Sequence, residues 1–395
     1  MKIFQGYFDT LIGGAGIMGM GLALEEALRG KKVAIWDKFL PGQKASWASA
    51  GILTNRDARI FHSPFRAFQI QSQDMYPKWL EKINSAVFSK DSPYKESLTL
   101  QNYGAYQIFP DDAQGERDLN EELAKLKREG AKNYTLETSA PSFIQQWLRN
   151  PQLPTLHFPN EAYISNRQLL VYLQTACENL GVVFLPSYEF DVLIQSKEQI
   201  TVDLKSTAIH SHSNSQLRCE GQRLVICAGI GSQELLKNLG YQAPLVPVKG
   251  QAFSVEKFYT EKAFIHYGKE VYMVPRSNDI LVGVTTENHN ADEVFNAEGE
   301  KEIREQLTVD LPLLAKKPAI ESWAGVRPRT KDRLPLMGWI NESKTLALCA
   351  GHYKSGIGMA PLSALCMSQL LNFETPSFDI TPFDPLRKKG LKPLG

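Results

Sequence analysis

"LIGGAGIMGMGLALEEALRGKKVAIWDK", Leu11 to Lys38, is the stretch whose reading decides the fold. It predicts an apolar strand from Phe8 to Ile12, a glycine turn, a helix from Ile17 to Arg29, and a second strand, Val33 to Trp36, ending on Asp37. Gly14 permits the tight turn, Gly16 lets backbone N–H groups approach a pyrophosphate, and Gly19 lets the helix pack closely on the strand. The helix start, Ile17 and Met18, then faces the phosphate charge. Asp37, next to Lys38, stands where a carboxylate accepts hydrogen bonds from a ribose hydroxyl. Gly30 closes the helix as a left-handed cap. The pattern marks a dinucleotide site and does not separate NAD from FAD.

The rest of the composition narrows the class. A chain of 395 residues accommodates two domains or one large interleaved α/β body. Its 44 lysines and arginines nearly balance 43 aspartates and glutamates, so no basic field points to nucleic acid. No run approaches the roughly 18 apolar residues of a membrane span, and the N-terminus lacks the pattern of a signal peptide; a cytoplasmic protein is expected. Cys177, Cys219, Cys227, Cys349 and Cys366 are scattered without CxxC spacing and read as reduced core residues, with no metal site expected.

Further along, Asn166 to Leu180 has helical apolar spacing, with Asn166 as its expected cap and Gly181 as its stop before a strand, Val182 to Leu185. An antiparallel excursion, Phe190 to Ile194 and Ile200 to Leu204, precedes the strand "RLVICAG", and His210 to Ser215 reads as a hairpin tip. A polar helix near Arg117 to Glu129 and a segment around Trp147 fall in one insertion; "QAFSVE", "VYMVP" and "DILVGVTT" alternate in strand fashion in another. The expected architecture is α/β, a Rossmann-like nucleotide domain assembled from residues 1–92, 160–245 and 325–395. An α+β domain with an antiparallel sheet, residues 93–159 and 246–324, completes it.

Seven motifs occur in one order: GGAGIMG with Asp37, "ASWASAGIL" (Ala45 to Leu53), "VICAGIGS" (Val225 to Ser232), "PVKGQ" (Pro247 to Gln251), "VYMVPR" (Val271 to Arg276), "ESWAGVRPRTKD" (Glu321 to Asp332) and "CAGHYKSGIGMAP" (Cys349 to Pro361). The set resembles the FAD-dependent D-amino-acid oxidase superfamily, and within it the glycine oxidase and sarcosine oxidase-like enzymes, across nearly the whole chain. The resemblance decides for FAD. It implies that Ser46, Ala50, Gly51 and Ile52 lie near the flavin, that Phe190, Ala228 and Gly229 border the cofactor, and that Gly351, His352, Lys354, Ser355, Gly356, Ile357 and Gly358 form a loop and helix start against its negatively charging edge. A helix N-terminus or a cation there stabilises that charge. The family more often has arginine where Lys354 stands. No covalent attachment residue matches; His62 lies outside the expected position, so FAD is expected to be non-covalent.

An amino-acid oxidase must hold a carboxylate, and a guanidinium does so through paired N–H bonds. The resemblance assigns that task to Arg327, which without the motif would read as a structural arginine beside Pro328. Tyr272 matches a tyrosine beside the substrate carboxylate, although in an alternating strand it would otherwise read as packing. Ile52, Thr286 and Glu287 are expected to border the substrate pocket, and Trp47 to reshape it. Arg329 and Lys331 are expected to be solvated, and His352 to serve the cofactor, not the chemistry. The implied reaction is oxidative deamination of glycine, sarcosine or a small D-amino acid, with molecular oxygen taking the electrons as hydrogen peroxide. Its alternatives are a flavin dehydrogenase passing electrons to a quinone or dye, and a non-catalytic FAD-binding or tRNA-modification subunit. A homo-oligomer is left open.

Overall fold

The computed structural model describes residues 2–54, 63–89, 92–196, 199–208 and 216–394. The opening stretch folds as strand Lys2–Gly13, helix Ile17–Leu28 and strand Val33–Asp37. Leu11, Ile12, Val33, Ala34 and Ile35 are buried, the continuous apolar run that a strand covered on both faces requires. Gly14 has φ +110°, and a Cβ there would fall 2.6 Å from the backbone of Cys227 and Ala228. A Cβ on Gly19 would lie 1.9 Å from the Gly14 carbonyl oxygen, so the helix rests directly on the turn.

Among the described residues an eight-stranded sheet runs in the order Leu336–Trp339, Leu346–Ala350, Gln216–Ile226, Lys2–Gly13, Val33–Asp37, Val183–Pro186. Its last five strands are parallel, and Leu336–Trp339 is an antiparallel edge. Strands Tyr188–Gln195 and Ile200–Ser206 form an antiparallel ribbon that joins the sheet at Gln216–Ile226. The first strand begins six residues before the expected start, because parallel pairing with Gln216–Ile226 recruits a stretch whose own pattern is weak. One face of the sheet packs helices Ile17–Leu28, Pro64–Asp74, Tyr76–Val87, Asn166–Asn179 and Gly356–Leu371 around Met20, Trp79, Leu169 and Met359.

A nine-stranded sheet builds the second body: Glu287–Asn288, Leu245–Glu256, Asp279–Gly283, Val271–Pro275, Phe264–Tyr267, Ala105–Ile108, Thr155–Phe158 and Thr135–Glu137, with Ala319–Thr330 also on Leu245–Glu256. Helix Ala297–Thr308 buries Ile303 and Leu307 against Phe253 and Val282. Strand Ala319–Thr330 runs through the expected 324/325 boundary and carries Arg327 toward the nucleotide domain.

Several local expectations change. Helix Asn166–Asn179 has Ser165, not Asn166, at its cap position; the Asn166 amide instead donates to the carbonyls of Ser46 and Trp47, both at 2.9 Å. The polar helix starts at Ala113, because Asp112 accepts hydrogen bonds from the Gln114 and Gly115 N–H groups. All five cysteines are buried and free. His62 and the segment His210 to Ser215 lie outside the described residues. Among those described, no helix is long and apolar enough to cross a membrane.

Candidate cofactor and substrate site

A cavity of about 710 Å³ runs from the glycine turn to the second sheet. At its first end lie Gly14, Gly16, Ile17, Met18, Asp37 and Lys38. The Asp37 carboxylate accepts from the N–H groups of Ala15 (2.8 Å) and Phe39 (3.0 Å), which fixes it at the strand end. Burial raises its pKa, and those two hydrogen bonds oppose the rise. The Ile17 N–H donates to the Ser46 hydroxyl at 3.0 Å, which ties the helix start to the loop that also brings Ala50, Gly51 and Ile52 into the wall. Phe190, Ala228 and Gly229 line the same end, with Lys44 and Glu293 paired at 2.5 Å from opposite domains.

Gly351, His352, Lys354, Gly356 and Ile357 line the middle of the cavity. Gly351 has φ +84°, and helix Gly356–Leu371 begins there without a side-chain cap from Ser355. His352 is buried with Nε2 3.1 Å from the Ser363 hydroxyl, and burial pushes its pKa down to about 3, so its ring is neutral. Lys354 is pulled below the usual lysine range by desolvation first and by the like charge of Arg327 second.

At the far end, Arg327 and Tyr272 face each other. Val248, not Gly250, is the register partner of Arg327, so the guanidinium crosses over Gly250, whose absent Cβ would lie 2.1 Å from Nη2. Nη1 makes long contacts to the carbonyls of Thr285 (3.4 Å) and Lys249 (3.5 Å). Burial raises the Tyr272 phenol, while the charge and hydrogen bond of Arg327 draw it back. Tyr272 pairs in register with Gly283 on one side and His266 on the other, and a Cβ on Gly283 would meet its ring at 3.3 Å. His266 and Glu270 join this end of the wall.

Some expected residues are elsewhere. Thr286 and Glu287 are absent from the wall, because Glu287 pairs in register with Lys249 and turns its carboxylate to Gln251, Thr285 and Asn290. Trp47 is also outside it; its ring lies 3.5 Å from the Arg167 guanidinium and edge-on to Trp323 at 6.0 Å. Gly19 and Gly358 act in packing, the latter against Gln73, and Ser355 does not line the cavity. Arg329 makes a solvent-exposed hydrogen bond to Asn288 at 2.7 Å, and Lys331 is exposed. Glu270 lies in the turn that enters strand Val271–Pro275, two residues before Tyr272 and outside the alternation of that strand. His266, Lys44 and Glu293 depend on strand register and domain packing, which no local pattern reveals. Cys227 and Cys349, expected only as core, line the cavity.

A parallel sheet with a glycine turn, joined to a second sheet that closes the cavity with a guanidinium and a phenol, defines a two-domain, dinucleotide-dependent oxidoreductase. The chain belongs to the FAD dependent oxidoreductase family, DAO, whose pattern matches residues 9–370. It is 26% identical to the glycine oxidase of Pseudomonas aeruginosa over 393 residues, 95% of this chain and 98% of that one. It is also 26% identical to the bifunctional protein ThiO/ThiG of Trichormus variabilis, covering 92% of this chain and 52% of that protein, so it spans about half the length of such bifunctional relatives. The crystal structure of glycine oxidase from Geobacillus kaustophilus superposes with a TM-score of 0.82 at 23% identity, over 96% of this chain and 99% of that one, and shares the fold. FAD is therefore the cofactor, and the cavity suits it: the starts of two helices, at Gly16–Ile17 and at Gly356–Ile357, border one continuous space.

Proposed function

We propose that this enzyme oxidises a small amino acid, glycine, sarcosine or a small D-amino acid, to the 2-oxo acid, releasing ammonia or an amine and, with oxygen as acceptor, hydrogen peroxide. The observation that carries the reading is the Arg327–Tyr272 pair at one end of the cofactor cavity. Gly14, Gly16, Ile17 and Asp37 would hold the nucleotide half of FAD, and the Gly351–Ile357 segment the flavin half, without a covalent bond. When bound, FAD would supply the acceptor for the hydride, one proton with two electrons, of the substrate Cα–H bond.

The chain's own residues bind and orient. Arg327 donates to the Tyr272 oxygen and, through Nη1, at long range to the carbonyls of Lys249 and Thr285; the N–H groups not so engaged would hold a carboxylate, while the protonated phenol donates onward to the same carboxylate. Fixing the carboxylate fixes the Cα, and orientation of this kind supplies a large part of a barrier reduction. His352, neutral and engaged with Ser363, and Glu287, turned away from the cavity, are not assigned a proton-transfer role; the substrate amine reacts as its free base and the resulting imine hydrolyses in water. Purified enzyme incubated in air with glycine, sarcosine and D-alanine is expected to form peroxide and 2-oxo acid in equal amounts with one of them. Turnover with a dye but not with oxygen would replace the oxidase reading by the dehydrogenase one.

A further inference from the structure

Lys249 is fully buried, at 0% exposure, yet it is not part of the cavity wall. A buried ammonium requires compensation by opposite charge and hydrogen bonds. Here Asp292 provides a carboxylate oxygen at 3.2 Å and Glu287 another at 4.0 Å. Glu287 is the hub of this cluster. It accepts from the Gln251 amide at 2.7 Å, the Thr285 hydroxyl at 3.0 Å and the Asn290 amide at 2.9 Å. Gln251 closes the ring through its backbone, donating N–H to the Thr285 hydroxyl at 3.0 Å and accepting from the Thr285 N–H at 3.2 Å.

The two residues at the centre of that ring, Lys249 and Thr285, are the ones whose carbonyls touch Arg327. Both contacts are long, so on the side away from Tyr272 the guanidinium is placed by where the two backbones stand and by the missing Cβ of Gly250. We propose that Lys249 and Glu287 are positioning residues for substrate recognition: their ion cluster, built on a buried ammonium, sets the two carbonyls that aim Arg327 at the substrate carboxylate. The proposal rests on the reading of Arg327 given above. Without the ammonium, the carboxylates of Glu287 and Asp292 lose their cation and repel, the 285–292 segment shifts, and the Thr285 carbonyl moves with it. Removing one partner of a buried pair disturbs its surroundings more than removing both.

The test uses holoenzyme and glycolate, a carboxylate without an amine, whose binding is read from the change it causes in the visible flavin spectrum. Wild type, Arg327→Ala, Lys249→Met, Lys249→Arg and Glu287→Gln are titrated, with thermal denaturation run in parallel. Lys249→Met is expected to weaken glycolate binding by about tenfold, the scale of a guanidinium displaced but present, with Lys249→Arg recovering most of the loss and FAD affinity unchanged. A purely structural role would lower Tm and leave the glycolate Kd within about twofold of wild type; that result overturns the proposal. If Lys249→Met does not fold, Glu287→Gln decides in the same way. If Arg327→Ala binds glycolate as well as wild type does, the reading of Arg327 fails, and the positioning role fails with it.

Discussion

Gly250→Ala isolates the placement of Arg327 from its charge. Gly250 sits mid-strand in Leu245–Glu256 with no positive φ, so alanine fits the backbone and, in a strand, is favoured over glycine by about 0.5–1 kcal/mol. The new Cβ would lie 2.1 Å from Nη2 and 2.4 Å from the guanidinium carbon and Nη1 of Arg327, where ordinary contact begins at 3.4 Å. The guanidinium must therefore retreat by about 1.3 Å, the difference between those distances, while the backbone stays where it is. A displacement of about 1 Å in a group that orients substrate costs roughly a hundredfold in rate. Steady-state oxidation of the preferred amino acid should show kcat/KM down by about 30- to 100-fold, carried largely by KM. Thermal denaturation should show a Tm equal to or above wild type. In an Arg327→Ala background the same glycine substitution should change kcat/KM by less than about twofold, since the two residues then no longer interact. A Gly250→Ala enzyme with kcat/KM within threefold of wild type would refute the reasoning, as would an equal loss in both backgrounds.

Three further outcomes follow from the same geometry. His352 is neutral because burial lowers its pKa from 6.5 to about 3, so the unfolded chain binds more protons between those values and stability rises with pH through that window and falls as pH drops through it; His352→Gln should flatten the dependence of Tm on pH from 4 to 6.5. Glu270 holds the pKa of Lys354 up against desolvation and Arg327, so Glu270→Gln should move an alkaline limb of the kcat/KM profile that reports Lys354 to lower pH, and Arg327→Ala should raise the Lys354 pKa, read by titration of the labelled lysine. Trp47→Ala removes the ring between Arg167 and Trp323; chemical denaturation should show a loss of about 2 kcal/mol, while the ratio of kcat/KM for glycine and D-alanine stays unchanged because Trp47 is outside the cavity.

Features fixed by local sterics were readable from the chain. The Gly14 turn, the Gly19 contact and the strand ending on Asp37 each follow from what neighbouring backbone permits, and a spacing rule captures them. Arg327 and Tyr272 were legible through the motifs around them, and both reach the cavity. What escaped depends on register between distant strands. Glu287 reads as a pocket carboxylate until its pairing with Lys249 is known, and that pairing turns it inward to the ion cluster. Trp47 reads as pocket-shaping because it lies in the cofactor loop, but the four-residue helix Ala45–Ala48 directs Ala45, Ser46 and Ala48 to the cavity and Trp47 to Arg167. The insertion segments alternate as strands should, yet nothing in alternation tells that Glu287–Asn288 pairs with Val248–Lys249 at the edge of the second sheet.

The central claim is that Arg327 presents a small amino acid to the bound cofactor, and an anaerobic visible spectrum tests it most directly. Oxidised holoenzyme is mixed with glycine, sarcosine, D-alanine and L-proline in turn, for wild type and for Arg327→Ala. The account predicts that one of the first three bleaches the flavin bands of wild type, that air restores them with formation of peroxide, and that Arg327→Ala needs far more of the same substrate. Flavin that no amino acid bleaches, or that bleaches equally in Arg327→Ala, would contradict it.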